Sequence, residues 1–451
     1  MPSRTFAYRA ILCLIWALAL WHSWICRGLF VDGSAFLVQI VRREWFFEFY
    51  PPRIYAMIAA QLPVMTALLL GVTDLHLLAR LLSFGLFCLP TIFYTLALER
   101  ARHDAVLLAC VIAVIGVVFL PTSFFIVGEY NTVYAVVTLI AVRLATAADQ
   151  PLRLSESLVI LALAAFSIRI YEAMLYLGPL LAAMTLWRLA RASRHPALPA
   201  VMHMLAAVFF LCGSMVAVES LVHPWSEGHL EETLTQAKDF WQNMQFLLLF
   251  GAVLIVVGWA LLRPGDLVRL KPYLWGAVLL GVLALSPLMA LGDTLARPLA
   301  KSQYVARSMA GLVVAGIVAF MWLYVSRAHF RLKALVVLKQ PAAASRLLAF
   351  AFLLPLAVVP SDIFLSATWI NYLEDVRDTI RSRGGVIAFE DTPLSRWPEI
   401  LLVENWVLSS QSLALRSRPG DGVIVPPGGF NEWVPFPPLE PPNLGRFYWR
   451  D

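Results

Sequence analysis

The sequence predicts an all-α polytopic membrane protein of about eleven transmembrane helices with interfacial helices beside them, closed by a small extracytoplasmic tail of α/β character. Three observations lead there. Of 451 residues, 60% are hydrophobic and 14% charged, and the mean hydropathy is +0.75, beyond the apolar share of an ordinary soluble protein. The basic residues fall in short clusters between long apolar runs, and past Leu365 the composition turns soluble. A net charge of +6 would suit a nucleic-acid partner if it formed one continuous basic face, and the clustering argues against that. The five cysteines, Cys13, Cys26, Cys88, Cys110 and Cys212, lie in or beside apolar segments without CxxC spacing or neighbouring histidines. Neither a disulfide framework nor a zinc site is expected.

The first apolar run, Ala10–Ile25, follows Arg4 and Arg9 but is Trp-rich and lacks a small-x-small cleavage site, so it is expected to stay as the first helix. From Gly28 to Arg53 the chain reads GLFVDGSAFLVQIVRREWFFEFYPPR. Leu37, Ile40, Val41 and Trp45 recur at helical spacing, with Gln39, Arg42 and Arg43 on the opposite side. That pattern suits a helix in the lipid headgroup layer, with Asp32 at the membrane boundary.

Ile54–Val72 is apolar enough to be a span, but Pro63 interrupts it and Gln61 precedes the break. Its status sets every later orientation. If it does not cross, the spans are Leu75–Leu98, Ala105–Leu120, Thr132–Ala148, Glu156–Ile168, Tyr171–Trp187, Pro199–Leu221, Gln245–Leu262, Pro272–Leu291, Ser308–Val325 and Arg346–Leu365. The basic loops at Arg100/Arg102, Arg143/Arg153, Arg188/Arg191/Arg194, Arg263/Arg269/Lys271 and Arg327/Arg331/Lys333/Lys339 then share the side of Arg4 and Arg9. The positive-inside rule makes that side cytoplasmic. The expectation is therefore a re-entrant or interfacial hairpin at Ile54–Val72, a cytoplasmic amino terminus and an extracytoplasmic tail. Residues 1–365 form the membrane domain, with 27–74 as its first external loop, and 366–451 a small cap. Glu156–Ile168 falls below the roughly 17 residues a span needs; it is tilted, extended through Arg169, or half of a hairpin. The tail should hold a helix near Tyr372–Ser382, a β-like GGVIAFED and a helix near Glu399–Leu415, before Gly- and Pro-rich sequence ending FYWRD.

Charges at membrane level are functional candidates by default. Glu129, Arg169, Glu172, Glu219 and Arg307 fall in this class, and all but Glu219 gather near the outer leaflet at the level of Asp32. An acid with converging cations is what displacement of a phosphate leaving group requires: a base for the acceptor proton and fixed positive charge for the phosphate. Plainer roles stand beside this. Asp32-Gly33 is a common turn pair, Arg169 and Glu172 at spacing three can pair with each other, and Glu129 can cap the next span. Lys301 suits interfacial snorkelling, Glu219 and His223 close a span, and Trp45 to Tyr50 suit an aromatic belt. Arg42, Arg43 and Arg53 can bind lipid phosphate or face headgroups and water.

The stretches FVDGSAF, YPPRIYAMIAAQLPVMTALLLGVTDLHLLARLLSFG, GEYNTVYA and RIYEAMLYLGP, behind a first helix and an outward loop bearing an acid, resemble the GT-C superfamily of membrane glycosyltransferases. The resemblance is architectural over Ala10 to about Leu365 and sequence-like only in patches. It implies Asp32 as the catalytic acid position and a segment 54–72 that is not a full crossing. The donor would be a polyprenyl-phosphate sugar and the acceptor an extracytoplasmic glycan or lipid-linked component, with inversion. Asp32 would be the base, Arg169 and Arg307 would face the phosphate, and Glu129, Glu172, Tyr130, Arg42 and Arg43 complete the substrate-binding candidates. The chain has Asp-Gly where many members have a second acid nearby; a divalent metal therefore stays open, and no cofactor or metal ligand is expected. The expected location is a bacterial cytoplasmic membrane, in contact with its lipids. Two other classes fit the composition: a lipid or glycan transporter, and a non-catalytic envelope assembly protein.

Overall fold

A computed structural model describes residues 2–48, 50–123, 129–147, 150–194, 196–223, 250–255, 258, 302–326, 333–396, 407–426 and 444–450. Its helices are α1 Arg4–Trp24, α2 Asp32–Arg43, α3 Ile54–Leu69, α4 Leu75–Ala101, α5 Ala105–Val114 and α6 Leu120–Ser123. They continue as α7 Tyr130–Thr146, α8 Leu154–Phe166, α9 Met174–Arg191, α10 Ala197–Val222, α11 Ser302–Ser326, α12 Lys333–Val337, α13 Pro341–Ser382 and α14 Leu408–Ala414. A π-turn, Ile115–Phe119, joins α5 to α6. Strands β1 Val386–Ala388 and β2 Val423–Val425 pair in parallel, Val386 opposite Val423. Among the described residues, six helices are long and apolar enough to cross a membrane: Arg4–Trp24, Pro51–Leu69, Leu75–Ala101, Ala197–Val222, Met309–Ser326 and Pro341–Ser382. The chain is an integral membrane protein. Pro272–Leu291, most of Gln245–Leu262, Lys301 and the first part of Glu399–Leu415 lie outside the described residues.

The bundle has two chemically distinct ends, and side-chain pairs fix which helix termini share each. Arg4 donates to the His103 carbonyl at 2.6 Å and Tyr8 to Glu99 at 2.6 Å. Arg80, near the start of α4, reaches the carbonyl of Trp24 at the end of α1, 3.2 Å away. Helices α1 and α4 are therefore antiparallel. The Arg4 end also collects the end of α7 (Arg100 to Thr146, 2.8 Å), the start of α8 (Arg143 to Glu156, 2.8 Å) and the end of α11 (Tyr324 to Asp104, 3.2 Å). Arginines concentrate there. The opposite end carries Trp24, Asp32 and the carboxyl-terminal tail.

This arrangement bears on Ile54–Val72. The expected hairpin does not form; α3 is one continuous helix through Pro63. A proline costs the helix one hydrogen bond and a local clash, which packing against α4 can offset. Although α3 has the length of a span, α1 and α4 are antiparallel neighbours, so residues 27–74 leave and re-enter at the same end of the bundle.

Two other expectations change. Helix α2 is not a free interfacial helix: Leu37, Val38, Ile40 and Val41 are all buried, because it packs against α4 on one side and α14 of the tail on another. Its charged end remains exposed, and Trp45 falls beyond the helix, 59% exposed. The boundary drawn after Leu365 falls inside a single helix. Helix α13 runs 42 residues, about 63 Å at 1.5 Å per residue, twice the thickness of a bilayer core. Its second half leaves the bundle to carry the tail. Trp369 on that half is fully buried and donates to the Ile25 carbonyl at 3.0 Å. The tail then closes over the Asp32 end: Leu75 donates to the Tyr448 carbonyl at 2.9 Å, His76 stacks on Trp449, and Arg446 pairs with Glu44 at 2.9 Å.

Candidate functional site

Helix α8 has 13 residues, about 20 Å of rise, and a 3-10 turn, Ser167–Arg169, ends it early. That turn packs against the middle of α10. A Cβ on Gly213 would meet the Ser167 carbonyl at 2.9 Å, so only glycine admits the contact. From Gly213, α10 continues to Val222, nine residues or about 13 Å farther. The segment bearing Arg169, Tyr171 and Glu172 is thus recessed below the end of its neighbour.

Arg53 fills this recess. Its side chain is 8% exposed, and its Nε lies 2.8 Å from Glu172 while Nη1 lies 3.6 Å from Glu129. The guanidinium is flanked by the rings of Tyr50 and Tyr171, 4.4 and 4.8 Å from their centroids, a geometry that holds a desolvated cation in place. Glu129 does not cap α7 with its side chain; its carbonyl accepts from Thr132 and Val133 while its carboxylate turns to Arg53. Burial pushes the Glu129 carboxyl above the usual range, Arg53 opposes that shift, and the nearby charges of Asp32 and Glu172 add to it. Three acids thus share one neighbourhood with one buried guanidinium.

Asp32 enters from α2. It is the first residue of that helix and is half-buried, where the helix dipole favours negative charge. Before it, Val31 has φ 49° and ψ −122°, a conformation that a β-branched residue adopts only under constraint, at a cost of about 1–3 kcal/mol. The surroundings impose it. Leu29, Phe30 and Val31 are buried, and Phe30 packs edge-on against Trp369 with centroids 5.7 Å apart. Strain of this kind fixes the direction in which the next side chain leaves the backbone.

The other candidates divide. The pair that spacing three allowed between Arg169 and Glu172 does not form, because residues 167–173 are a 3-10 turn, a bend and a turn in which that spacing does not stack side chains. Glu172 turns to Arg53, and Arg169 is exposed without an ion pair among the described residues. Tyr130 is fully buried, its ring 6.0 Å from that of Tyr134 and 6.2 Å from that of Tyr171; it supports Tyr171 and has no surface for a substrate. Arg42 and Arg43 are exposed at the far end of α2, about 15 Å along the axis from Asp32, and so belong to a different surface. Arg307 lies on α11 one turn before Gly311, where a Cβ would overlap the Tyr176 hydroxyl and crowd that of Tyr134. The backbone of Arg307 is thereby held beside α7 and α9; its side chain lies outside what the structure describes. Glu219 and His223 close α10, the His223 amide donating to the Glu219 carbonyl at 2.8 Å.

Two features escape a linear reading. Arg53 sits in YPPR, where the two prolines and the tyrosine could have marked a rigid buried turn. Asp362, in an apolar run of α13, is 5% exposed and receives Arg27 at 2.5 Å and His22 at 3.0 Å, with Arg27 also touching His22. A carboxylate within an apolar run was the available signal. This cluster pins the start of the Asp32 segment to α1 and α13.

Among the described residues no group of three His, Cys, Asp or Glu is arranged to hold a metal ion. Comparison of the chain with protein-family profiles, with curated proteins and with solved structures found no match.

Proposed function

We propose that this chain is a GT-C-like membrane glycosyltransferase that moves a sugar from a polyprenyl phosphate to a glycan or lipid-linked acceptor, with the basic end of the bundle cytoplasmic and about eleven spans in all. One observation carries the proposal: Asp32, preceded by a strained backbone, shares a recess with an acid–arginine cluster. The outward part of α10 presents Met215, Val218 and Val222, which are 71%, 45% and 64% exposed. An apolar face of this kind on the helix next to the recess suits a prenyl chain, while the acceptor would reach Asp32 from the water side.

In this mechanism Asp32 accepts the proton of the acceptor hydroxyl as its oxygen attacks the anomeric carbon. The bond from that carbon to the phosphate oxygen breaks, its electron pair leaves with the polyprenyl phosphate, and the configuration inverts. Positive charge must meet the departing phosphate. Arg169, exposed beside the recess, is the first candidate, and Arg307 the second. Arg53 is already committed to two carboxylates, so its role is to hold Glu129 and Glu172 in place.

Purified protein and its Asp32→Asn variant, supplied with polyprenyl-phosphate sugars, test the proposal. The substitution keeps size and removes the base, so transfer should fall by about 10²–10⁴-fold with folding retained. A variant transferring at the wild-type rate would take Asp32 out of the mechanism, and turnover of no donor by the wild type would favour a transport or assembly role.

A further inference from the structure

At the end of the bundle opposite Asp32, the termini of α4, α7, α8, α9 and α10 enclose a cavity of about 250 Å³. Its described lining includes Arg100, Arg143, Arg153 and Arg188 with His203, and Glu156 is the one carboxylate among them. The adjoining sequence holds one more acid, Asp149, so cations exceed acids by two even if both are counted.

The geometry keeps these charges close. Glu156 accepts from Arg143 at 2.8 Å and lies 3.8 Å from Arg100, so a single carboxylate serves two guanidinia. Arg188 is 2% exposed and donates to the Gln150 carbonyl at 2.7 Å. Four arginines around one small cavity with a single described carboxylate leave an excess of positive charge that a bound anion offsets. Arginine in this density matches phosphate, whose oxygens accept its paired N–H donors.

The outer faces of two helices that bound the cavity indicate where the phosphate comes from. Leu154 and Leu158 on α8 are 47% and 48% exposed, and Leu198 and Val201 on α10 are 55% and 44% exposed. Acyl chains fit such a surface and free solutes do not. The volume also falls below the roughly 300–1,000 Å³ of sites for larger ligands, which suits a headgroup. We propose that this cavity binds a phosphate-bearing anion, and that the anion is the headgroup of an acidic membrane lipid whose chains lie along α8 and α10. Basic pockets between transmembrane helices recognise anionic headgroups by this chemistry. The site is independent of the transferase reaction and survives if that proposal fails.

Native mass spectrometry of the full chain, released from nanodiscs of phosphatidylglycerol or phosphatidylcholine, reads the lipid retained. Phosphatidylglycerol should stay bound and phosphatidylcholine should not. In the Arg100→Gln/Arg153→Gln variant, which leaves the buried Arg188 untouched, retention should weaken about tenfold or more, as the loss of a charge-assisted bond implies. If that variant does not fold, Arg153→Gln alone changes an exposed residue and should lower retention in the same direction. A thermal shift with inorganic phosphate in delipidated detergent, equal to that with phosphatidylglycerol, would keep the phosphate chemistry and overturn the lipid source. No preference between the two lipids, or a preference unchanged in both variants, would overturn the site.

Discussion

Arg53 donates through Nε to both carboxylate oxygens of Glu172, at 2.8 and 2.9 Å, across 119 positions of sequence. With Glu129 on its other side, one guanidinium ties the loop before α3 to the starts of α7 and α9. The recess is built around that tie.

Removing the cation should therefore be more harmful than removing the whole cluster. Arg53→Met leaves two largely buried carboxylates uncompensated and should cost about 3–5 kcal/mol, whereas adding Glu129→Gln and Glu172→Gln should recover most of it. Thermal unfolding in detergent across the series decides this. A triple variant as unstable as Arg53→Met would mean that the arginine acts through its stacking on Tyr50 and Tyr171 rather than through charge.

Arg169 should behave in the opposite way. It is exposed and makes no ion pair among the described residues, so Arg169→Gln should change stability by less than about 0.5 kcal/mol. Sugar transfer should nonetheless fall by about 10²-fold or more, the scale seen when one donor to a developing anion is lost. Normal turnover in this variant would leave Arg307 as the remaining candidate for the phosphate.

The His22–Arg27–Asp362 cluster gives a stability prediction away from the chemistry. Asp362→Asn keeps the shape but leaves Arg27, which is fully buried, without its carboxylate, at a cost of about 3–5 kcal/mol. Because Arg27 begins the segment leading to Asp32, limited proteolysis should cut residues 27–50 sooner in this variant. Proteolysis and unfolding identical to wild type would show that the cluster does not anchor the segment.

Orientation can be read by cysteine labelling in a background lacking the five native cysteines. Ala101 is fully buried and would not label, but the side chain of Arg102 beside it is 44% exposed. Arg102→Cys should react only with membrane-permeant reagents in intact cells, and Ser382→Cys, exposed at the end of α13, with impermeant ones. The reverse pattern would invert the bundle and move the Asp32 recess to the cytoplasm.

The sequence by itself determined that the protein lives in a membrane, because apolar runs of span length have no other solvent. It also grouped Arg100, Arg143, Arg153 and Arg188 with Arg4, and the structure brings the helix ends that carry them together. The residues of the recess were largely legible too: Asp32, Glu129, Arg169 and Glu172 stand out as charges beside apolar runs. Their partners were not. Spacing three pointed Glu172 toward Arg169, yet the 3-10 turn at Ser167–Arg169 broke the helical register and a residue 119 positions away took its place. Arg53 read as a headgroup contact and proved to be the buried centre of the cluster. Nor could the pattern of α2 reveal that α14 covers it, for amphipathicity records one apolar face and not what lies against the rest. Tertiary structure decided these points, because partner choice among charges depends on where backbones end in space, and in a bundle that is set by helix lengths and crossings summed over the whole chain.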